Sequence, residues 1–76
     1  MIKVYSTLAC PYCFTLKEFL EEKGFEFEDI DISKDEDALK EMVQKSKQMG
    51  VPVVDIDGQI VVGFDKEKIS KLLNIK

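Results

Sequence analysis

The apolar and polar positions of the chain follow two different periods. Ile2–Ser6 alternates apolar and polar residues, which is typical of a short strand. Four apolar residues then recur at spacings of three and four: Cys13, Leu16, Phe19 and Leu20. The charged residues Lys17, Glu18, Glu21 and Glu22 lie largely off this face, so the stretch is predicted to form an amphipathic helix with one buried face. Gly24 suits the left-handed conformation that follows many helices and is predicted to end it.

The next two elements are predicted to be a strand and a second helix. Residues 25–32 favour a strand, although the apolar positions change phase between Phe27 and Ile30, as a bulge or a frayed end would cause. Ser33 and Glu36 have the spacing of a capping box, which predicts the start of a helix that extends to about Ser46. The apolar face of this helix consists of Ala38, Leu39, Met42 and Val43.

The last part of the chain predicts a hairpin and a closing helix. Val53–Ile56 and Gln59–Val62 flank Asp57-Gly58, a two-residue turn that matches the twist of antiparallel strands. Asp65 is a good N-cap, and a short helix is predicted after it from the spacing of three apolar residues, Ile69, Leu72 and Leu73. Residues 1–76 are therefore predicted to form a single domain with the element order βαβαββα.

This order predicts an α/β protein built on one mixed sheet. The first βαβ unit should place its two strands parallel to each other with a right-handed crossover. The hairpin should add two antiparallel strands to the same sheet. The expected architecture is a four-stranded mixed sheet flanked by three helices.

The two cysteines of the chain lie where the first strand gives way to the first helix, in Cys10-Pro11-Tyr12-Cys13. Unpaired backbone N–H groups and the positive end of the helix dipole favour a thiolate there, so Cys10 is predicted to be the nucleophile. Cys13 follows at a spacing that holds side chains about 5–6 Å apart, close enough for a disulfide. Because Cys13 also begins the apolar stripe, we expect it to be buried and to act as the resolving thiol. Pro11 suits the first helical position, where its missing N–H costs nothing.

Composition excludes several classes of partner. The net charge of −4 and the absence of a basic run argue against nucleic acid and anionic membranes. All 11 basic residues are lysines, which hold anions as point charges rather than through a bidentate fork. The N-terminal segment is too short and too polar for a secretory signal, and no apolar run is long enough to cross a bilayer. Two cysteines in a βαβ pattern then favour a redox pair in a cytoplasmic monomer over a structural disulfide.

The motif Cys10-Pro11-Tyr12-Cys13 after the first strand, together with the order of elements, resembles the glutaredoxins, which are small members of the thioredoxin fold. Pro-Tyr between the cysteines is typical of glutaredoxins rather than of thioredoxins or protein disulfide isomerases. The resemblance runs over the whole chain and implies a thioredoxin-like fold and thiol–disulfide oxidoreductase activity. It implies that Cys10 attacks a protein disulfide or a glutathionylated thiol and that Cys13 resolves the mixed disulfide. Glutathione is then the expected reductant, and no bound cofactor is expected.

Two further segments match the family and imply a substrate site. Val51-Pro52 looks like the family's Val-Pro dipeptide, whose cis bond lies opposite the cysteines. The backbone of the residue before the proline pairs with the substrate's cysteine in the family. Gly63-Phe64-Asp65 looks like the segment before the last helix, whose N-terminus would receive the γ-glutamyl carboxylate of glutathione. Tyr12 is expected at the rim of the site. Phe64 is expected to pack in the core, and Met49 is expected either in the core or at a substrate groove.

Three alternatives stay open. The Gly63-Phe64 pair is similar to the glutaredoxin-like electron donors of ribonucleotide reductase, which would make thioredoxin reductase the electron source. A zinc site needs four ligands and therefore a dimer, because the chain has no His and two Cys. An iron–sulfur cluster bridging two chains would use Cys10 of each with glutathione.

Lys17, one turn beyond Cys13, either supports the Cys10 thiolate or is an ordinary solvated lysine.

Overall fold

The computed structural model describes residues 1–74. Its strands are β1 (Ile2–Ser6), β2 (Glu28–Asp31), β3 (Val53–Ile56) and β4 (Gln59–Val62), and its helices are α1 (Pro11–Glu22), α2 (Glu36–Ser46) and α3 (Lys66–Leu73). The sheet order is β2-β1-β3-β4, with β1 parallel to β2 and antiparallel to β3, and with β3 antiparallel to β4. The predicted mixed sheet with three helices is confirmed. None of the described helices is long and apolar enough to cross a membrane.

Helices cover both faces of the sheet, and successive residues of a strand face different helices. The core between the sheet and helices α1 and α3 buries Ile2, Val4, Leu16, Phe19, Leu20, Val54, Ile56, Val61 and Ile69. The core between the sheet and helix α2 buries Tyr5, Ile32, Ala38, Met42 and Val53. We call these two sides the α1/α3 face and the α2 face. The central strands β1 and β3 contribute to both cores, which is why they carry adjacent apolar residues.

The second strand is shorter than predicted, since β2 covers Glu28–Asp31 rather than residues 25–32. Phe25 and Phe27 precede the strand and pack against the core of the α1/α3 face, whereas Ile30 packs against the core of the α2 face. The apolar positions change phase because the side chains before the strand pack on one face of the sheet and Ile30 packs on the other. No bulge is involved, because β2 pairs with β1 without interruption over its four residues.

The capping box predicted at Ser33 and Glu36 is wrong. Asp35 caps α2 instead, and its Oδ1 accepts hydrogen bonds of 3.1 Å from two backbone N–H groups of the first turn. Ser33 donates its hydroxyl and its backbone N–H to the carboxylate of Asp31, in the turn before the helix. A carboxylate adjacent to the first helical residue reaches the unpaired N–H groups directly, so it displaces the more distant serine.

The turns predicted around Gly24 and Asp57-Gly58 are confirmed. Asp57 and Gly58 have φ of 50° and 92°, and a type I′ hairpin turn requires positive φ at both of its central residues. Gly24 has φ of 78°, and its N–H donates to the carbonyl of Glu21. The next N–H donates to the carbonyl of Leu20, which completes a Schellman motif at the end of α1.

Candidate redox site

Three segments of the chain meet at one end of the sheet. The pairing of Tyr5 with Val53 places the C-terminal end of β1 beside the start of β3. The pairing of Val53 with Val62 places the end of β4 at the same edge. The loop 7–10, the Val51-Pro52 peptide and the segment 63–65 all enter or leave strands here. The topology thus gathers the cysteine motif and both segments of family resemblance at one end of the molecule.

Cys10 is the N-cap of α1, and Cys13 lies in the first turn of the helix. Their sulfurs are joined in a disulfide, with the two Cα atoms 5.3 Å apart. The backbone N–H of Cys13 donates to Sγ of Cys10 at 3.1 Å, so this sulfur takes the place that a serine or aspartate oxygen has in an ordinary cap. Cys13 is fully buried and Cys10 is partly exposed, which confirms the predicted difference in burial.

The local sequence explains why α1 begins at this position. Pro11 occupies its first turn, where a residue without an N–H is tolerated. The N–H of Phe14 donates to the carbonyl of Cys10 at 3.3 Å. The first turn contains no acidic residue, so no carboxylate of the helix itself offsets the positive end of its dipole.

The Val51-Pro52 peptide bond is cis, as the family resemblance implied. Pro52 is buried, and its carbonyl accepts a hydrogen bond of 2.8 Å from the N–H of Gly63. Gly63 has φ of 78°, a conformation that a residue with a Cβ adopts only under strain. Val51 is half-buried beside the proline. The hydrogen bond therefore holds the two segments that resemble the family's substrate site against each other.

Asp65 caps α3, as predicted, and its Oδ1 accepts a hydrogen bond of 3.1 Å from the N–H of Lys68. Phe64 packs against Phe19 of α1, with ring centroids 5.8 Å apart, which agrees with the expected core packing. The Nζ of Lys66 lies 5.6 Å from the centroid of the same Phe19 ring. The beginning of α3 thus carries a positive side chain close to the α1/α3 core.

Cys10 lines a pocket of about 210 Å³ whose other lining residues are Ser6, Thr7, Leu8, Phe14, Lys17, Asp29 and Asp31. Lys17 therefore lies in the same pocket as the predicted nucleophile. Its Nζ donates to Oδ2 of Asp29 at 3.1 Å, so its charge is shared with a carboxylate. The other oxygen of Asp29 accepts a hydrogen bond of 3.1 Å from the hydroxyl of buried Ser6.

Reasoning from the sequence missed the two carboxylates of this pocket, Asp29 and Asp31. They lie in β2, far along the chain from the cysteine motif, and reach it because Ser6 pairs with Asp31 at the ends of parallel strands. Hydrogen bonds from Ser33 hold the pKa of Asp31 below its usual value, so this carboxyl is ionised at neutral pH. The predicted parallel pairing of the first two strands was the signal that could have found both residues.

Large apolar side chains around Cys10 are exposed. Leu8 is 83% exposed, Tyr12 68% and Phe14 63%, and Leu8 and Phe14 line the Cys10 pocket. Tyr12 is exposed but is not among the residues that line the Cys10 pocket, so its place at the rim of a substrate site stays a prediction. Met49 is 69% exposed and lines a different pocket with Leu39 and other α2 residues, so it does not belong to the core.

The comparison with known proteins agrees with this geometry. The glutaredoxin family model matches residues 2–61. An uncharacterized glutaredoxin-like 8.6 kDa protein in the rubredoxin operon of Clostridium pasteurianum is 49% identical over 73 residues, covering 96% of this chain and 97% of that protein.

Two solved structures are similar over almost the whole chain. A mutant of a thioredoxin-like protein has a TM-score of 0.93 at 39% identity, covering 99% of this chain and 96% of that one. The glutaredoxin-like protein NrdH-redoxin from Escherichia coli has a TM-score of 0.81 at 28% identity, covering 93% of this chain and 92% of that one. The chain, with its thioredoxin-like fold and its Cys10–Cys13 pair, belongs to the glutaredoxin family.

Proposed function

We propose that this protein is a dithiol oxidoreductase that reduces protein disulfides and glutathione mixed disulfides, with Cys10 as the nucleophile and Cys13 as the resolving thiol. One observation carries the proposal, namely the different setting of the two sulfurs. Sγ of Cys10 caps a helix and accepts the N–H of Cys13, whereas Cys13 itself is fully buried. Family membership supports thiol–disulfide exchange as the class of reaction.

The reaction proceeds by two exchanges at sulfur. The Cys10 thiolate attacks one sulfur of the substrate disulfide, and a Cys10–substrate disulfide forms as the first substrate thiolate leaves. Cys13 then gives up its proton and attacks Sγ of Cys10, which releases the second substrate thiolate. Two electrons have passed to the substrate, the single proton from Cys13 goes to a released thiolate or to solvent, and Cys10 and Cys13 are joined as in the structure.

In this proposal the other residues of the site hold the substrate. The backbone of Val51, before the cis proline, pairs with the substrate's cysteine, and Tyr12 covers the rim. The segment formed by Gly63, Phe64 and Asp65 presents the start of α3 to a carboxylate of glutathione, and unpaired N–H groups at a helix start favour an anion. Gly63 donates a hydrogen bond to the carbonyl of Pro52, so the two parts of this site are in direct contact.

Glutathione is our first proposal for the reductant, in a reducing compartment such as the cytoplasm. Thioredoxin reductase is the second candidate, favoured by the similarity to NrdH-redoxin, a glutaredoxin-like protein described as having a thioredoxin-like activity profile. Two NADPH-coupled assays separate them, one with glutathione and glutathione reductase and one with thioredoxin reductase. We expect sustained turnover in the assay with glutathione. Turnover only in the assay with thioredoxin reductase would instead identify that enzyme as the electron donor.

The roles of the two thiols are tested by single substitutions. Cys10→Ser should abolish reduction of every disulfide, because the attacking sulfur is lost. Cys13→Ser should abolish reduction of protein disulfides but preserve removal of glutathione from a glutathionylated thiol, since glutathione can release Cys10 from the mixed disulfide. Equal losses in both assays would contradict the assignment, and circular dichroism of each variant checks that the fold is retained.

Metal binding by the same cysteines is the alternative from a different class. Within residues 1–74 no group of three or more His, Cys, Asp and Glu side chains is arranged to hold a metal ion, so a zinc or iron–sulfur site would need a second chain. Size-exclusion chromatography and metal analysis of the reduced protein test this. A metal-bound dimer would support the alternative.

A further inference from the structure

A larger groove along α1 adjoins the Cys10 pocket. This groove has a volume of about 770 Å³ and continues past the turn at the end of the helix to Phe25, Glu26 and Phe27. It shares three residues with the Cys10 pocket: Phe14, Lys17 and Asp29. The two cavities lie next to each other along α1 and the edge strand β2, with Cys10 at one end, and we call them together the α1–β2 groove.

The lining of the α1–β2 groove is strongly acidic. Five carboxylates line it: Glu18, Glu21, Glu26, Asp29 and Asp31. Among the residues that the structure describes, Lys17 is the one basic side chain in the lining, and it is already paired with Asp29. A channel lined by charges of one sign attracts segments of opposite charge and speeds their association. An anionic segment would be repelled along the same path.

Three aromatic residues supply the apolar part of the groove: Phe14, Phe25 and Phe27. Phe14 is largely exposed at the Cys10 end, and the other two are half-exposed at the far end. Residues 10–25 span roughly 20 Å at the rise of an α-helix, which is the length of about six residues of extended chain. The groove therefore matches a short extended peptide that combines basic and apolar side chains.

We propose that the α1–β2 groove binds an extended basic segment of the protein substrate, adjacent in sequence to the cysteine that Cys10 attacks. This inference rests on the proposed function and adds which protein substrates the enzyme reduces, namely those with a basic segment beside the reactive cysteine. The segment carries lysine or arginine residues for the five carboxylates and apolar residues for the phenylalanines. The groove lies on the β2 side of Cys10, away from the start of α3 where glutathione is proposed to bind.

Acidic residues along β2 have a simpler explanation. β2 is an edge strand, and charged side chains protect such edges from pairing with other chains. Edge protection requires charge, but it does not require selection among substrates. The two explanations are therefore separated by measuring which disulfides the protein reduces.

The test uses two symmetric disulfide-linked peptides that differ in charge. Each has a central cysteine flanked by phenylalanines, with lysines in one peptide and glutamates in the other. Stopped-flow measurement of oxidation of the reduced protein gives a second-order rate constant for each. We expect the lysine peptide to react about tenfold faster at low ionic strength, and the ratio to fall towards one in concentrated salt.

Two variants with the same change in net charge localise the effect. Glu21→Lys reverses a charge in the groove, whereas Glu22→Lys reverses one on the neighbouring residue of the same helix, which is exposed and does not line the groove. We expect Glu21→Lys to lower the lysine-to-glutamate rate ratio several-fold and Glu22→Lys to change it little. Glu21→Lys combined with Glu26→Lys should remove the preference.

Each other outcome overturns the inference. A ratio near one in the unmodified protein would leave edge protection as the role of these acids, while the proposed function stands. Equal changes in Glu21→Lys and Glu22→Lys would show attraction by net charge rather than by the groove. If dithiothreitol reduces both peptides and the protein reduces neither, the proposed function fails as well.

Discussion

Each side of the sheet has a lysine–aspartate ion pair that joins a helix to a strand. On the α1/α3 face, Lys17 of α1 donates to Asp29 of β2 at 3.1 Å. On the α2 face, Lys45 of α2 donates to Asp55 of β3 at 2.7 Å. The chemical groups are the same and the two lysines are similarly covered, but the side chain of Asp29 is 49% exposed and that of Asp55 is 11% exposed.

The surroundings of the two pairs differ as well. Lys45 also donates to the hydroxyl of Tyr5, a fully buried residue, and Asp55 accepts the N–H of Gly58 at the hairpin turn. Asp29 accepts from Ser6 and lines the pocket of Cys10. The pair on the α2 face thus joins helix, central strand and hairpin, whereas the pair on the other face lies beside the reactive sulfur.

This difference shows how exposure to solvent determines the contribution of an ion pair to folding stability. A buried ion pair whose members are otherwise hydrogen-bonded is costly to break, because removing one partner leaves the other charge buried. An exposed pair contributes little to stability, but its field reaches a nearby reacting group. We therefore expect the Lys45 pair to affect folding and the Lys17 pair to affect the rate of thiol exchange.

The largest expected effect is on folding. Lys45→Met should lower the free energy of unfolding by about 2–3 kcal/mol, somewhat below the range for fully buried pairs because Lys45 is partly exposed. Urea denaturation measures this, with Lys17→Met as the matched control on the other side of the sheet. Equal losses in the two variants would contradict the comparison.

The contribution of the Lys45 pair should also depend on pH. Burial raises the pKa of Asp55, but the hydrogen bond and charge of Lys45, together with the N–H of Gly58, outweigh it and hold the pKa below 3.8. A depressed native pKa stabilises the fold above the unfolded value of about 3.9 and ceases to do so as the pH falls through the native value. The stability gap between the unmodified protein and Lys45→Met should be constant from pH 6 to 8, as judged by urea titrations.

That gap should then narrow as the pH falls below about 4. On the alkaline side, the hydrogen bond to Asp55 raises the pKa of Lys45 in the folded protein. The contribution of Lys45 to the free energy of unfolding is therefore complete below its pKa in the unfolded chain, about 10.4. It is lost only above that value. A gap that persists unchanged at pH 2.5 would show that Asp55 is not the group responsible.

A smaller effect is expected from the Lys17–Asp29 pair, whose carboxylate is half-exposed. Lys17→Met should change the free energy of unfolding by about 0.5 kcal/mol or less. It should slow the reaction of Cys10 with a neutral disulfide such as hydroxyethyl disulfide about two- to threefold, since a positive charge in the pocket favours the thiolate. An unchanged rate would identify Lys17 as an ordinary solvated lysine.

The opposite change is expected when the partner of Lys17 is neutralised. Asp29→Asn removes a negative charge from the Cys10 pocket and leaves the charge of Lys17 unshared, so the same reaction should become about two- to threefold faster. The uncharged substrate excludes any effect of the α1–β2 groove on binding. A slower reaction in this variant would show that Asp29 contributes mainly by holding Ser6 and Lys17 in place.

Most of the fold could be predicted because its signals are local. The amphipathic stripe of α1, its ending at Gly24 and the type I′ turn at Asp57-Gly58 depend on residues close together in sequence. The thiol positions are local as well, since Cys10 and Cys13 lie within one helical turn. The cis bond before Pro52 came from the family resemblance, because X-Pro bonds are mostly trans in folded proteins.

The errors arose where two local signals competed. Ser33 and Asp35 are both acceptable caps, and the choice depended on which side chain reached the unpaired N–H groups of α2. Residues 25–32 contain apolar side chains for both sides of the sheet, so a single period did not describe them. The bounds of β2 depended on how far β1 extended as its partner.

The sequence by itself determined the order of elements, the redox pair and the unequal burial of its two sulfurs, since each depends on spacing within a helix or a turn. Only the tertiary structure decided which distant groups surround Cys10. Asp29 and Asp31 reach its pocket through the register of parallel strands, and Lys45 finds Asp55 through the packing of α2 on the sheet. Register and packing combine contributions from the whole chain, and no short stretch of sequence contains them.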